Sequence, residues 1–209
     1  MSDLAGILDD AARGVFPPPD GAVAVLPQPS ARDAGVIAFT GCAVVFADAE
    51  AAWVRGLLPD DDLSAPLNPP FLSALCERLG RRVNNIDMLT VADAADGPPE
   101  LDLAPVAARD HPRVARALRY RDDVRAWAVP GGLVLLGHGV AGRWEMAVEV
   151  EPEARGEGLG RRLAEAARQL VPDGAPVWAQ IAPGNAAGVR AILAAGFRPV
   201  GAEALLAAG

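Results

Sequence analysis

The sequence predicts a mixed α/β fold of the α+β kind, and three observations carry that prediction. Residues 144–170 pass from an alternating apolar stretch through a glycine-rich turn into a helical stripe. Residues 176–197 follow with a buried strand, a capped helix and the opening of another strand. Residues 22–92 interleave short apolar runs of strand length with segments of helical period.

Taken in order, residues 1–15 read as a short helix with an acidic start, unlike a secretory leader and its basic first region. Phe16 to Asp20 is a turn, and Ala22 to Leu26 a strand. Val36 to Ala47 breaks at Thr40-Gly41 into two strands joined tightly. Asp48 is placed to cap a helix through Ala52 and Val54 to Leu58. A proline-rich loop, Pro59 to Pro70, leads into a helix from Phe71 to Leu79. Ile86 to Ala92 is a strand. The following D-A-A-D-G-P-P-E, Asp93 to Glu100, is the most linker-like stretch and divides residues 1–100 from 101–209.

Beyond it, His111-Pro112 opens a helix in which Arg113, Arg116 and Arg119 form one basic face. Val124 to Val129 and Leu133 to Gly139 are strands joined at Pro130-Gly131-Gly132, and Val140 to Arg143 turns into the next. That strand puts Trp144, Met146, Val148 and Val150 on one face and Glu145, Ala147 and Glu149 on the other. Pro152 ends it. The helix after the turn carries Leu159, Leu163, Ala166, Ala167 and Leu170, and Pro172 stops it. Pro176 to Ala182 is a buried strand. Asn185 caps a helix with Val189, Ile192 and Leu193 as its inner stripe, and Gly196 ends it before Phe197.

Composition bounds the function. Hydrophobic residues make up 51% and charged residues 22%, which suits a folded, soluble protein, and no apolar run is long enough for a bilayer. A formal charge of −8 argues against nucleic acid as partner and permits a cationic acceptor. All 19 basic residues are arginine, so lysine Schiff-base chemistry is excluded. The Ala, Gly, Pro and Arg bias fits a GC-rich bacterial genome. Cys42 and Cys76 have no metal-ligand spacing and read as buried thiols of a reducing cytoplasm. Trp53, Trp127, Trp144 and Trp178 read as core, and His138 as a turn histidine near a hairpin.

The glycine turn holds Gly156, Gly158 and Gly160 between Arg155 and Arg161. A strand-to-helix junction of this kind gathers unpaired backbone N–H groups at the positive end of a helix dipole, which suits a pyrophosphate. A dinucleotide fingerprint would want glycine where Arg161 stands, and a nucleotide P-loop would want a lysine. The pattern that is complete is Arg-x-x-Gly-x-Gly from Arg155. Together with N-A-A-G-V-R-A-I-L-A-A-G-F, Asn185 to Phe197, it resembles the GNAT acyltransferase superfamily over about residues 105–206.

That resemblance implies a mostly antiparallel mixed sheet flanked by helices, with residues 1–100 as an accessory α/β region. It implies acetyl-CoA as co-substrate and no metal. The coenzyme pyrophosphate would sit on the N–H groups of Arg155, Gly156, Gly158, Leu159, Gly160 and Arg161. The pantetheine arm would lie where the strand before the turn splays from the next, bonded to the backbone of Val148 and Val150. Asn185 would reach the pantetheine or thioester. Glu145 or Glu149 would accept the proton of an attacking primary amine on a small molecule or peptide, with Glu145 preferred because it is farther from the turn. The sequence departs from the family at Ile192, where many members carry a tyrosine that protonates the leaving thiolate. The family usually closes its sheet with two strands after Phe197, but this sequence leaves room for one. One wall of the acceptor site then comes from the N-terminal half, from a second subunit of a homodimer, or from neither. The competing reading is a non-catalytic acyl-CoA-binding sensor or scaffold.

Overall fold

The computed structural model describes residues 3–107 and 111–208. It divides into two units, Met1–Leu89 with Val200–Gly209, and Thr90–Pro199. The division precedes the linker-like Asp93–Glu100 stretch and returns the last strand to the N-terminal unit. That stretch is not a free linker. The Asp93 carbonyl accepts from Arg168 Nε at 2.9 Å, and Ala95 N–H donates to Arg168 O at 2.8 Å.

The first unit opens with α1 (Leu4–Ala12), capped by Asp3, whose Oδ1 accepts from Gly6 N–H at 2.8 Å. Met1 and Ser2, part of the helix read from the sequence, lie outside the described residues. β1 (Val23–Leu26) runs parallel to β3 (Cys42–Phe46), and β2 (Gly35–Phe39) pairs antiparallel with β3 through the expected turn at Thr40-Gly41. α2 (Ala51–Gly56) starts later than the sequence suggests. Glu50, not Asp48, holds the N-cap position, and it makes no side-chain cap bond. α3 (Pro69–Leu79) begins two residues before Phe71, because prolines are tolerated in a first turn whose N–H groups have no helical partner. β4 (Arg81–Ala92) begins ahead of Ile86, and β10 (Arg198–Ala208) is a single unfrayed strand paired antiparallel with β2, Ala202 opposite Ala38. Here the strand order is β1-β3-β2-β10-β4. Val36, Val45, Val54, Phe71, Leu75 and Leu206 form the core that α2 and α3 close.

The second unit takes the end of β4 and adds β5 (Ala104–Val106), β6 (Asp122–Val129), β7 (Gly132–His138), β8 (Trp144–Val150) and β9 (Val177–Ile181), in the order β4-β9-β8-β7-β6-β5. β5 to β8 are antiparallel neighbours, whereas β8 and β9 are parallel. Thr90 Oγ1, fully buried, donates to Ala179 O at 3.0 Å. α4 (Pro112–Ala117) packs Val114 and Ala117 on Ala126, Leu133 and Leu135. On Gly132 of β7 lie Leu159 and Leu163 of α5 (Leu159–Leu170). α6 (Ala186–Ala194) follows β9. The fold class is therefore mixed α/β with a mostly antiparallel set of strands flanked by helices. Among the described residues no helix is long and apolar enough to cross a membrane.

Several side chains sit differently from expectation. Leu193 is exposed and Val189 half-buried, so the inner stripe of α6 narrows to Ile192. Of the four tryptophans only Trp178 is fully buried, and the Trp53 ring lies under the Arg78 guanidinium. Cys42 is buried, Cys76 half-buried, and both are free thiols.

Candidate functional site

The parallel ladder between β8 and β9 is two residue pairs long, Trp144 with Val177 and Glu145 with Trp178. Beyond Glu145 the two strands part. The backbone of β8 shows which residues face the gap. Gly139 N–H donates to Arg143 O at 2.9 Å, and Glu151 N–H donates to Gly131 O at 2.9 Å, so residues 143 and 151 both turn toward the β7 side. Antiparallel alternation then assigns residues 145, 147 and 149 to β7 and turns the backbone groups of Met146, Val148 and Val150 outward. The Met146 N–H still belongs to the two-pair ladder, whereas the Met146 C=O and the groups of Val148 and Val150 face the opening, where β9 supplies no ladder partner. Arg155 Nε takes the Val150 carbonyl at 3.2 Å, and Val148 is left with an outward N–H and C=O.

The glycine turn stands at the open end. Gly156 and Gly158 have φ of +87° and +75°, a backbone region that costs L-residues energy. Gly158 is the N-cap of α5 and has no side chain to satisfy the helix start. The first helical bond is Arg162 N–H to Gly158 O at 3.2 Å, and no acceptor among the described residues takes the N–H groups of residues 156–161. These donors stand at and just before the positive end of a 12-residue helix. An ideal Cβ on Gly156 or Gly158 meets nothing within 4 Å, so the space in front of the donors is open. A Cβ on Gly160 would come within 3.6 Å of Val150 and 3.7 Å of Ala191, which brings strand end, helix start and α6 together. Arg161 is half exposed and pairs loosely with Glu165 at 3.6 Å. An open cleft of about 340 Å³ lies beside the turn, lined by Val129, Pro130, Ala154, Glu157, Leu159 and Arg162 among others.

The Glu145 carboxylate occupies the closed end of the opening, with both of its oxygens engaged. The residue is 2% exposed. Oε1 accepts from Arg143 Nε at 2.9 Å and from Val140 N–H at 3.3 Å, and Oε2 lies 3.0 Å from Arg121 Nη2. Burial alone would raise its pKa, but the Arg143 and Arg121 guanidiniums outweigh it and hold the carboxyl below the usual range. A carboxylate so committed is a weak proton acceptor. Its place is to tie elements together. Arg121 also reaches Gln180 Oε1 at 3.5 Å on β9, and the Arg143 guanidinium sits 5.1 Å over the Trp178 ring.

Glu149 keeps its side chain about half exposed, with one loose contact to Arg113 Nε at 3.8 Å. It lies toward the glycine-turn end of the strand. Asn185 is exposed, and its Oδ1 caps α6 by accepting from Gly188 N–H at 3.0 Å, which leaves its amide nitrogen for other partners. Ile192 is buried at 6% exposure and offers no proton. His138 stacks on Trp144 with ring centroids 3.9 Å apart, and its Nδ1 lies 2.7 Å from Gly142 O. A carbonyl can only accept, so Nδ1 carries the hydrogen. Burial pushes the Cys42 thiol up, away from thiolate chemistry. Among the described residues no group of three or more His, Cys, Asp or Glu could hold a metal ion.

Arg121, Arg143 and Gln180 escaped the reading of the sequence. Arg143 was within reach of it, since it stands two positions before Glu145 in extended backbone leading into β8. Arg121 and Gln180 are brought to Glu145 only by the fold.

No family model matches this chain, and no curated protein does. Solved structures do. A GCN5-related N-acetyltransferase from Kribbella flavida is 20% identical with a TM-score of 0.44, over 66% of this chain and 63% of that one. A tandem GNAT protein from the clavulanic acid biosynthesis pathway is 16% identical with a TM-score of 0.40, over 68% and 60%. A GNAT-family acetyltransferase from Colwellia psychrerythraea is 11% identical with a TM-score of 0.41, over 83% and 81%. This chain thus spans less than two thirds of the first two.

Proposed function

We infer that this chain is an acyltransferase of the GNAT type that moves an acetyl group from acetyl-CoA to a primary amine of a small molecule or peptide. One observation carries the reading. The opening between β8 and β9 has a row of outward backbone groups along one wall and a nest of free N–H donors at its mouth. From Val150 to Glu145 the strand spans about 17 Å, the order of an extended pantetheine arm. A pyrophosphate on the N–H groups of residues 156–161 would place the thioester toward the closed end. Arg155 and Arg161 would add charge-assisted contacts, and Asn185 Nδ2 a donor along the way.

In the reaction the amine nitrogen attacks the thioester carbonyl, a C–N bond forms, and the C–S bond breaks to release coenzyme A as thiolate. The nitrogen loses one proton and the thiolate gains one. Glu149 is the solvent-facing carboxylate of β8, and we assign it proton removal through water. Glu145 stays ionised and paired throughout. With Ile192 in place of a tyrosine, solvent returns the proton to sulfur. Binding and orientation supply most of the rate.

The test is a thermal melt of the protein with saturating acetyl-CoA, with NAD and ATP as controls, followed by an amine screen that detects free thiol. Ligand at about 100 times its dissociation constant adds roughly 2.7 kcal/mol. A rise with acetyl-CoA alone supports the reading, and thiol release with an amine completes it. Binding without turnover for any amine would favour an acyl-CoA sensor instead. No rise removes the coenzyme from this site.

A further inference from the structure

A guanidinium crosses the closed end of the β8–β9 opening. Arg121 follows α4 and extends over both strands, its Nη2 lying 3.0 Å from Glu145 Oε2 on β8 and 3.5 Å from Gln180 Oε1 on β9. Glu145 and Trp178 are the last paired residues of the parallel ladder, and Gln180 lies two positions beyond, where the strands have parted. The guanidinium therefore bridges the gap just past its vertex, on the Glu145 face of the sheet. It is held there firmly. Its side chain is 14% exposed, that of its carboxylate partner 3%, and Glu145 is fixed in turn by Arg143 and by Val140 N–H. Gly137 lets it pass, since a Cβ there would come within 3.0 Å of Arg121 Cβ.

A buried guanidinium with a carboxylate on one side and an amide on the other does not move aside for a hydrocarbon. Displacing it would leave the charge of Glu145 less compensated in a dry setting. The geometry points to Arg121 as the residue that limits acyl-chain length, so that acetyl fits ahead of it and long acyl groups do not. This rests on acyl-CoA lying in the opening with its thioester toward the vertex, as proposed above. Arg121 makes no bond to the reacting atoms. It is a specificity-determining wall.

The experiment is calorimetric titration of the whole chain with coenzyme A, acetyl-CoA, butanoyl-CoA and octanoyl-CoA. The wild type should bind octanoyl-CoA at least about tenfold more weakly than acetyl-CoA. Arg121→Ala keeps the Glu145–Arg143 pair, so the carboxylate stays partnered, and it should bring the two affinities within about threefold by relieving octanoyl-CoA alone. Arg121→Met, whose flexible chain can yield, should shift in the same direction if the alanine variant fails to fold. Arg121→Lys should restore much of the discrimination. A wild type that binds all chain lengths equally, or a folded Arg121→Ala that discriminates like wild type, overturns the assignment while leaving the coenzyme site intact. A wild type that binds none of the four, coenzyme A included, overturns the functional reading and this inference with it.

Discussion

Gly139 lies against the Glu145 carboxylate so closely that a Cβ on the glycine would overlap the carboxyl carbon and both oxygens. The contact lets the backbone after β7 settle on the buried charge and point Val140 N–H at Oε1, 3.3 Å away. Gly139→Ala must displace either the segment or the carboxylate. It should cost about 1–3 kcal/mol, as overpacking does, and denaturant unfolding would show it. An alanine variant as stable as wild type would mean that the Glu145 cluster is looser than its distances.

The same cluster sets a pH dependence. Glu145 is held below the ordinary carboxylate range, so it contributes stability in full above its unfolded pKa of about 4.3. That contribution is lost as pH falls from there toward the lower folded value. Glu145→Gln should cost roughly 3–5 kcal/mol near neutrality by leaving the arginines unbalanced, and its melting temperature should fall less steeply with acid than that of the wild type. Parallel acid limbs for the two proteins would show that other carboxylates govern acid unfolding.

At the glycine turn, Gly158→Val forces a branched side chain into positive φ but collides with nothing. The backbone strain should cost about 1–3 kcal/mol. The larger effect should be on acetyl-CoA, because the new methyl groups stand in front of the N–H donors. Loss of the acetyl-CoA-induced rise in melting temperature, with the circular dichroism spectrum kept, is the expected result. A full rise in that variant would take the pyrophosphate off these donors.

Asn185→Ala removes the cap of α6. The helix start should lose about 1 kcal/mol, and Asn185→Asp, which can cap equally well, should restore it. If both variants lose acetyl-CoA affinity and only alanine loses stability, the amide nitrogen has a ligand role separate from capping.

Much of this was legible from local pattern. The alternation of Trp144 to Val150, the Arg155–Gly160 turn and the Asn185 cap each follow from residues within one turn or strand of each other, and each stands where the spacing puts it. Asp48 misled because a good capping residue was present three positions ahead of a helix that starts at Ala51. The surroundings of Glu145 were illegible for a different reason. Alternation fixed its face, but the arginines that occupy its oxygens come from outside its strand, and nothing in the spacing of Arg121 and Glu145 announces their contact. The end of the chain was read as one strand that left a wall missing. β10 is that strand, and it lies between β2 and β4.

That pairing has a consequence for how the chain acquires its structure. The N-terminal unit is not a contiguous stretch, since β2 waits for β10, encoded far downstream beyond the whole second unit. As synthesis proceeds, the edge of β2 emerges early and stays unpaired until the final strand is available. Such a high sequence separation slows folding and leaves a sticky edge open in the meantime. A ribosome stalled after Pro199 would expose it, and a gene split near residue 100 would yield two fragments, neither holding a complete N-terminal sheet.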